Sequence, residues 1–379
     1  MKILIGICLF ISSISNLTAQ AIDKEKLLEY YESQRYAEAA QYLQGIYPED
    51  TEDIKALAQM AYCHMMSGKL PEAEKNYLKV NAAEPENIPV LFSLANINSR
   101  RGNGKKAKTY LLQIVQLDSL NFNAYRQLAG FGDTAEEKLS YLKKANTLNT
   151  TDPDVAFDLS TAYRELKQYQ RAYDVLRIAI GADNANFTLQ SAQLSLANQL
   201  GKYKEVIETG EKLIKENADA NVINEMGQAY FYLKEYQKCA ALFKTLEDLG
   251  IQNEGTLYYM ALSYRELKDY DNAILYAKKT IDEGISKHTA LYYTALAGIY
   301  ENKNQFSEAV EAYKRGLTFH HTNPTIYYRL GVLYDFSLKQ TKNAVTYYNL
   351  YLKNKPDPKK EQEQITYAKA RIIALSSKT

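Results

Sequence analysis

The sequence predicts an all-α fold: a solenoid of about ten helix-turn-helix repeats, closed by a C-terminal capping helix. Three observations predict it. Apolar residues recur at i, i+3, i+4 and i+7 along most of the chain, the pattern of amphipathic helices. Two columns of small residues recur at intervals of about 34 residues, a period that belongs to repeat arrays, which grow by addition. The composition, 46% hydrophobic and 24% charged, is that of a folded chain with enough apolar surface to cover both helices of each unit.

The clearest unit is residues 327–356. Tyr327, Leu330, Gly331 and Tyr334 lie on one side of a first helix; Ala344, Tyr347, Tyr348 and Tyr351 lie on one side of a second, and Pro356 closes the unit. A large aromatic, Leu-Gly, Tyr, Ala-x3-aromatic and a terminal Pro, in that order, resemble the tetratricopeptide repeat. Tyr327 stands where that family usually has Trp, and one extra residue is expected in the turn 337–342. The resemblance covers about 330 residues and implies a right-handed α-solenoid. The organisation that follows is a signal peptide at 1–20, an array over 21–356, and a capping helix with tail at 357–379.

The leader is read from its own residues. Lys2 supplies a positive start, residues 3–11 an apolar run, and Leu17-Thr18-Ala19-Gln20-Ala21 a small-residue exit, with cleavage after Ala19 or after Ala21 both compatible. The run is shorter than the ~20 residues that span a bilayer. Cys8 follows Ile7, where a lipidation signal wants a small residue. An exported location is therefore expected, periplasmic or associated with a bacterial cell envelope. The whole chain has a net charge of +1. Removing the leader takes only Lys2 among charged residues, leaving neutrality, so nothing favours nucleic acid or anionic membrane as a partner.

The second-helix column reads Ala39, Ala73, Ala107, Lys138, Ala172, Val206, Cys239, Ala273, Ala309 and Ala344; the first-helix column reads Ala61, Ala95, Ala129, Ser160, Leu194, Gly227, Ala261, Ala297 and Gly331. Small residues recur because two helix backbones approach closely there. The 33 Tyr, against no Trp, are largely architectural. Tyr163, Tyr230, Tyr264, Tyr300 and Tyr334 end first helices, and Tyr169, Tyr203, Tyr236, Tyr270 and Phe306 precede second ones. Such rings bury their bodies and keep the hydroxyl wet. The fourth unit is three residues short around Gly130-Phe-Gly-Asp133. The sixth, residues 187–217, departs most, with Val206 and Gly210 where small and aromatic residues are expected, and the ninth carries two extra residues near 284–288. After Pro358, a helix over about 359–376 should bury Ile365, Ala368, Ile372 and Leu375.

Catalytic and metal chemistry find little support. Arg101-Gly-Asn-Gly-Lys-Lys106 lacks the Gly and Ser/Thr of a phosphate loop and reads as a turn between helices. His320-His321 point about 100° apart on a helix and have no neighbouring ligands. Cys63 and Cys239 lie five repeats apart, where repeats touch only neighbours, so no disulfide is expected. No nucleophile with a base is legible, and neither an enzyme nor a cofactor is expected.

In the family resembled, first helices line a concave groove that holds a partner's peptide or helix. The register puts Asp154, Phe157, Thr161 and Arg164 of the fifth repeat there, with Asn221, Asn224, Gln228, Phe231 and Tyr232 of the seventh. Tyr258, Leu262 and Arg265 of the eighth and Tyr328, Asp335 and Phe336 of the tenth complete the set. Arg164, Asn224, Gln228, Phe231, Tyr232, Tyr258, Arg265 and Tyr328 are the candidate partner-binding residues, able to stack, hydrogen-bond and pair with carboxylates. Asn224 matches an asparagine of the family's carboxylate clamp, but the accompanying lysines are missing. The function expected is a non-catalytic scaffold for an envelope protein; the alternative is an exported carbohydrate-binding accessory protein that stacks sugar rings in an aromatic groove.

Overall fold

The computed structural model describes residues 22–377; the leader read at 1–20 lies outside them. Among the described residues no strand occurs, and the chain divides after Ala162 into two compact units. The first holds α1 (Lys24–Glu32), α2 (Tyr36–Ile46), α3 (Ile54–Met66), α4 (Leu70–Ala83), α5 (Ile88–Arg100), α6 (Gly104–Leu117), α7 (Phe122–Ala129), α8 (Ala135–Leu148) and most of α9 (Pro153–Glu165). The second holds α10 (Tyr169–Ala182), α11 (Phe187–Gln199), α12 (Tyr203–Glu216), α13 (Ala220–Tyr232), α14 (Tyr236–Asp248) and α15 (Glu254–Glu266). It continues with α16 (Tyr270–Asp282), α17 (Thr289–Asn302), α18 (Phe306–Phe319), α19 (Pro324–Val332), α20 (Thr341–Lys353) and α21 (Pro358–Ser376). From α1 to α8 and from α10 to α21, helices consecutive in sequence pack on one another. The divergent sixth repeat is an ordinary hairpin of α11 and α12.

Local chemistry sets where these helices start and stop. First helices begin at Asp or Asn side chains that accept from the backbone N–H groups of the first turn: Asp53, Asn87, Asn121, Asp152, Asn186, Asp219, Asn253 and Asn323. Apart from α7, which closes on Gly130 at φ −73°, first helices are followed by a residue of positive φ, at Gln34, Gly68, Gly102, Lys167, Gly201, Lys234, Lys268, Asn304 and Lys339. Around Gly68, Lys69 N–H donates to the His64 carbonyl at 2.8 Å, closing the left-handed helix end. Lysine is strained there because its Cβ crowds the backbone. Lys234→Gly and Lys268→Gly are each expected to stabilise the protein by roughly 0.5–1 kcal/mol, seen as a higher urea midpoint. A lower midpoint would show that these side chains hold the turn in another way.

The small columns mark the helix crossings. Ala39, Ala73, Ala107, Ala172, Val206, Cys239, Ala273, Ala309 and Ala344 are all 0% exposed. Ala273→Leu is expected to cost roughly 1–3 kcal/mol by overpacking, and an unchanged thermal melt would refute the register. Lys138 is the exception, since it is exposed. Here the close approach is transferred to Gly132, where an added Cβ would sit 2.8 Å from the Lys138 backbone nitrogen. The short fourth turn lies over α8, and Leu142 and Ala145 supply the burial.

Two expectations are corrected at the C-terminal end. The extra residue of the tenth repeat is not in the 337–342 turn. It is absorbed in a π-helical turn at Leu333–Ser337, where Leu338 N–H reaches the Leu333 carbonyl at 3.0 Å. Asp335, expected on the groove face, is instead 7% exposed, and both its carboxylate oxygens accept from Arg371 of α21 at 2.7 Å. The wider turn rotates this side chain toward α21, whose guanidinium offsets the cost of burying it. In α21, Ala368 and Leu375 are buried as expected, while Ile365 and Ile372 are half-buried.

Candidate partner-binding grooves

In the second unit, a groove of about 350 Å3 crosses three successive first helices. Tyr258 and Arg265 of α15 line it, with Leu291, Thr294, Gly298, Glu301 and Asn302 of α17 and Thr325 and Arg329 of α19. Helical spacing explains the set: Thr294, Gly298 and Glu301 stand at −3, +1 and +4 from Ala297, as Tyr258, Leu262 and Arg265 stand from Ala261. Leu262 itself is buried. Arg265 donates through Nε and Nη2 to Glu266 at 3.0 and 2.6 Å. Glu301 accepts from the buried Tyr313 hydroxyl at 2.5 Å. Burial first, and then Glu301, push the Tyr313 hydroxyl far above its ordinary range, with Arg329 opposing, so it remains a donor. Burial also raises Tyr258, against the pull of Arg265. The groove therefore offers an aromatic face, two guanidinium groups, a carboxylate, an amide and hydroxyls. Groups of these kinds are able to stack, hydrogen-bond and pair with opposite charge.

Of the eight candidates, Tyr258 and Arg265 line this groove and the other six do not. Tyr232, 50% exposed, stacks on Tyr203 at 5.0 Å and places its hydroxyl 3.3 Å from that of Tyr259. Phe231 packs edge-on to Tyr236 and Tyr259 at 5.6 and 5.2 Å. These two form an aromatic seam at the helix turns, because the residues closing a first helix meet the residue that opens the next. Asn224 and Gln228 are half-buried one turn apart on α13, and Arg164 is exposed. Tyr328 packs against Tyr348, Tyr351 and Tyr367, the last supplied by α21. Phe336 is 45% exposed, with the Arg371 guanidinium over its ring.

A second groove, of about 550 Å3, lies in the first unit. Met65, Met66, Phe92, Ser93, Asn96, Arg100, Asn123 and Gln127 line it, from α3, α5 and α7. Arg100 is fixed by a bond from Nη1 to the Met65 carbonyl at 3.3 Å. The sequence reading missed this groove because it took first-helix positions only from the fifth repeat onward. Its signal was present: Met65, Phe92 and Asn96 stand at +4, −3 and +1 from the small column. Flexible thioethers beside a ring make an adaptable apolar surface.

Among the described residues, no group of three His, Cys, Asp or Glu side chains is placed to hold a metal ion. No described helix is long and apolar enough to cross a membrane. Cys63 and Cys239 are both buried and free. Burial raises both thiols, Cys239 to about 11, so neither is an available nucleophile at neutral pH.

Comparison with known proteins agrees with the repeat geometry. Residues 30–75, 256–283 and 324–358 match models of the tetratricopeptide repeat, and residues 299–335 match a further TPR-repeat model. No curated protein sequence matches the chain. Among solved structures, the chain is similar to a tetratricopeptide repeat protein from Parabacteroides merdae. Identity is 17% over 63% of this chain and 96% of that one, with a TM-score of 0.41. It is also similar to the C-terminal part of a TPR repeat-containing protein from Cytophaga hutchinsonii, at 15% identity over 71% and 98%, with a TM-score of 0.45. With four stretches matched and helix hairpins recurring at the repeat's period, this is a tetratricopeptide-repeat protein, of a class that serves as protein-interaction scaffolds.

Proposed function

We propose that this protein is a non-catalytic scaffold of the bacterial cell envelope, which holds a peptide or helix of a partner protein along its first helices. The observation that carries the reading is the groove of Tyr258, Arg265, Thr294, Gly298, Glu301 and Arg329, where three successive first helices contribute aromatic, cationic and polar groups to one surface. The export part rests on the leader pattern of residues 1–20.

Gly298 supplies a clean test. A Cβ added there meets nothing within 4 Å, and the residue lines the groove. Gly298→Trp therefore fills the groove while leaving the helix packing untouched, and it removes a helix-weakening glycine. Affinity capture from native envelope should enrich a partner with wild type and lose it with Gly298→Trp and with Arg265→Glu. Gly45→Ala, also in open space, serves as the control that keeps it. Retention of the same proteins by the filled variant would place recognition elsewhere on the array. N-terminal mass measurement on protein from native envelope should show the chain beginning after Ala19 or Ala21, and an intact Met1 would refute cleavage of the leader and favour its retention as an anchor.

A further inference from the structure

A further cavity opens in the first unit, sharing no lining residue with the groove there. It holds about 340 Å3 between the first two repeats, and its walls include Leu57, Met60 and His64 of α3 and Asn76 of α4. The repeat register shows why there is space. His64 stands three residues after Ala61, and Asn76 three after Ala73. In the eighth repeat these positions hold Tyr264 and Tyr276, stacked at 5.4 Å and 9°; in the tenth they hold Tyr334 and Tyr347, stacked at 5.3 Å and 7°. The second repeat lacks a ring pair that two sister repeats possess, and two smaller side chains replace it.

The imidazole adds an independent observation. His64 is 3% exposed, and its Nδ1 has no hydrogen-bond partner. Its Nε2 lies 3.4 Å from Gln44 Nε2. An amide nitrogen only donates, so Nε2 accepts and Nδ1 carries the proton. Burial lowers the imidazole pKa; Lys69 acts in the same direction and Glu72 opposes, which keeps the ring neutral at pH 7. His64 also lines the cavity, so its ring reports on what enters.

We propose that the cavity between the first two repeats binds a phenolic ring, entering where the eighth and tenth repeats carry their stacked tyrosines, with the His64 ring in the cavity wall. Leu57 and Met60 supply apolar contact to the ring, the thioether favourably. Glu49, Glu72 and Lys75 also line the cavity, two carboxylates against one ammonium. That balance disfavours a ring bearing a carboxylate. The phenol is either a free small molecule or the tyrosine side chain of another protein.

The test follows the His64 ring resonance in full-length, histidine-labelled protein, assigned with His64→Ala. Titration with p-cresol should move that resonance saturably and raise the melting temperature, and 4-hydroxybenzoate should bind about tenfold more weakly. His64→Tyr with Asn76→Tyr, which restores the ring pair, should abolish the thermal response to p-cresol at unchanged helix content. If that pair does not fold, Asn76→Phe occludes the same space and should do likewise. A peptide with a central tyrosine distinguishes the sources: binding of both probes assigns a partner's side chain, and binding of p-cresol alone assigns a free phenol. No saturable His64 shift in wild type, or an equal thermal response in the occluded variants, overturns the site.

Discussion

Gly227→Val is expected to destabilise the second unit by about 3 kcal/mol, the upper part of the usual range for overpacking. Gly227 lies where α13 crosses α14, and a Cβ built there would sit 2.3 Å from the Phe243 ring. That ring is fully buried and stacks on Tyr259 at 6.1 Å, so it has no free space to retreat into. At roughly 2–4 °C per kcal/mol for a unit of this size, the helical circular-dichroism melt should fall by about 6–12 °C. Phe243→Leu in the same chain should recover part of the loss, giving a double variant more stable than the two single effects predict. Strict additivity would mean that the glycine is required for another reason.

Arg371→Met is expected to cost about 3 kcal/mol and to loosen α21. The asymmetry of the pair sets the direction. The Asp335 side chain is 4% exposed while that of Arg371 is 30% exposed. Losing the arginine leaves a buried carboxylate with only the Tyr348 hydroxyl, 3.3 Å away. Losing the aspartate leaves a cation that can turn to water, so Asp335→Leu should cost less. Asp335→Leu with Arg371→Met should recover most of the stability, because no uncompensated charge then remains buried. Hydrogen exchange of the α21 amides and urea midpoints check this. Equal protection in Arg371→Met and wild type would show that Ala368, Leu375 and the Tyr328–Tyr367 contact hold the helix without the ion pair.

Much of the fold was legible because its determinants are local. The small columns at Ala39 through Ala344 and Ala61 through Gly331 could be read from spacing, and nearly all lie at helix crossings. The Asp and Asn caps recur at the same period and would have fixed the first-helix starts more sharply than apolar spacing did. The left-handed closers were visible at Gly68, Gly102 and Gly201 but hidden at Lys234 and Lys268, where lysine accepts a conformation it does not favour. The grooves were only half legible. Tyr258 and Arg265 were found, whereas Glu301, Arg329, Met65 and Phe92 were missed, although the same register reaches most of them.

The amino-acid order by itself determined the helices, their pairing and the points where backbones touch, since each follows from a period, a cap or a missing side chain within a few residues. Only the packed structure decided which side chains share a surface. Phe231 and Tyr232 join a ring seam rather than the groove, because the neighbour's Tyr203 and Tyr259 compete for them. Tyr328 turns under α21, because Tyr367 of that helix packs over it. Asp335 is buried, because the extra residue widens the helix into a π-turn instead of lengthening a loop. These outcomes depend on how one helix is rotated against the next, and on which of several partners a side chain meets at that angle. A linear period leaves both open.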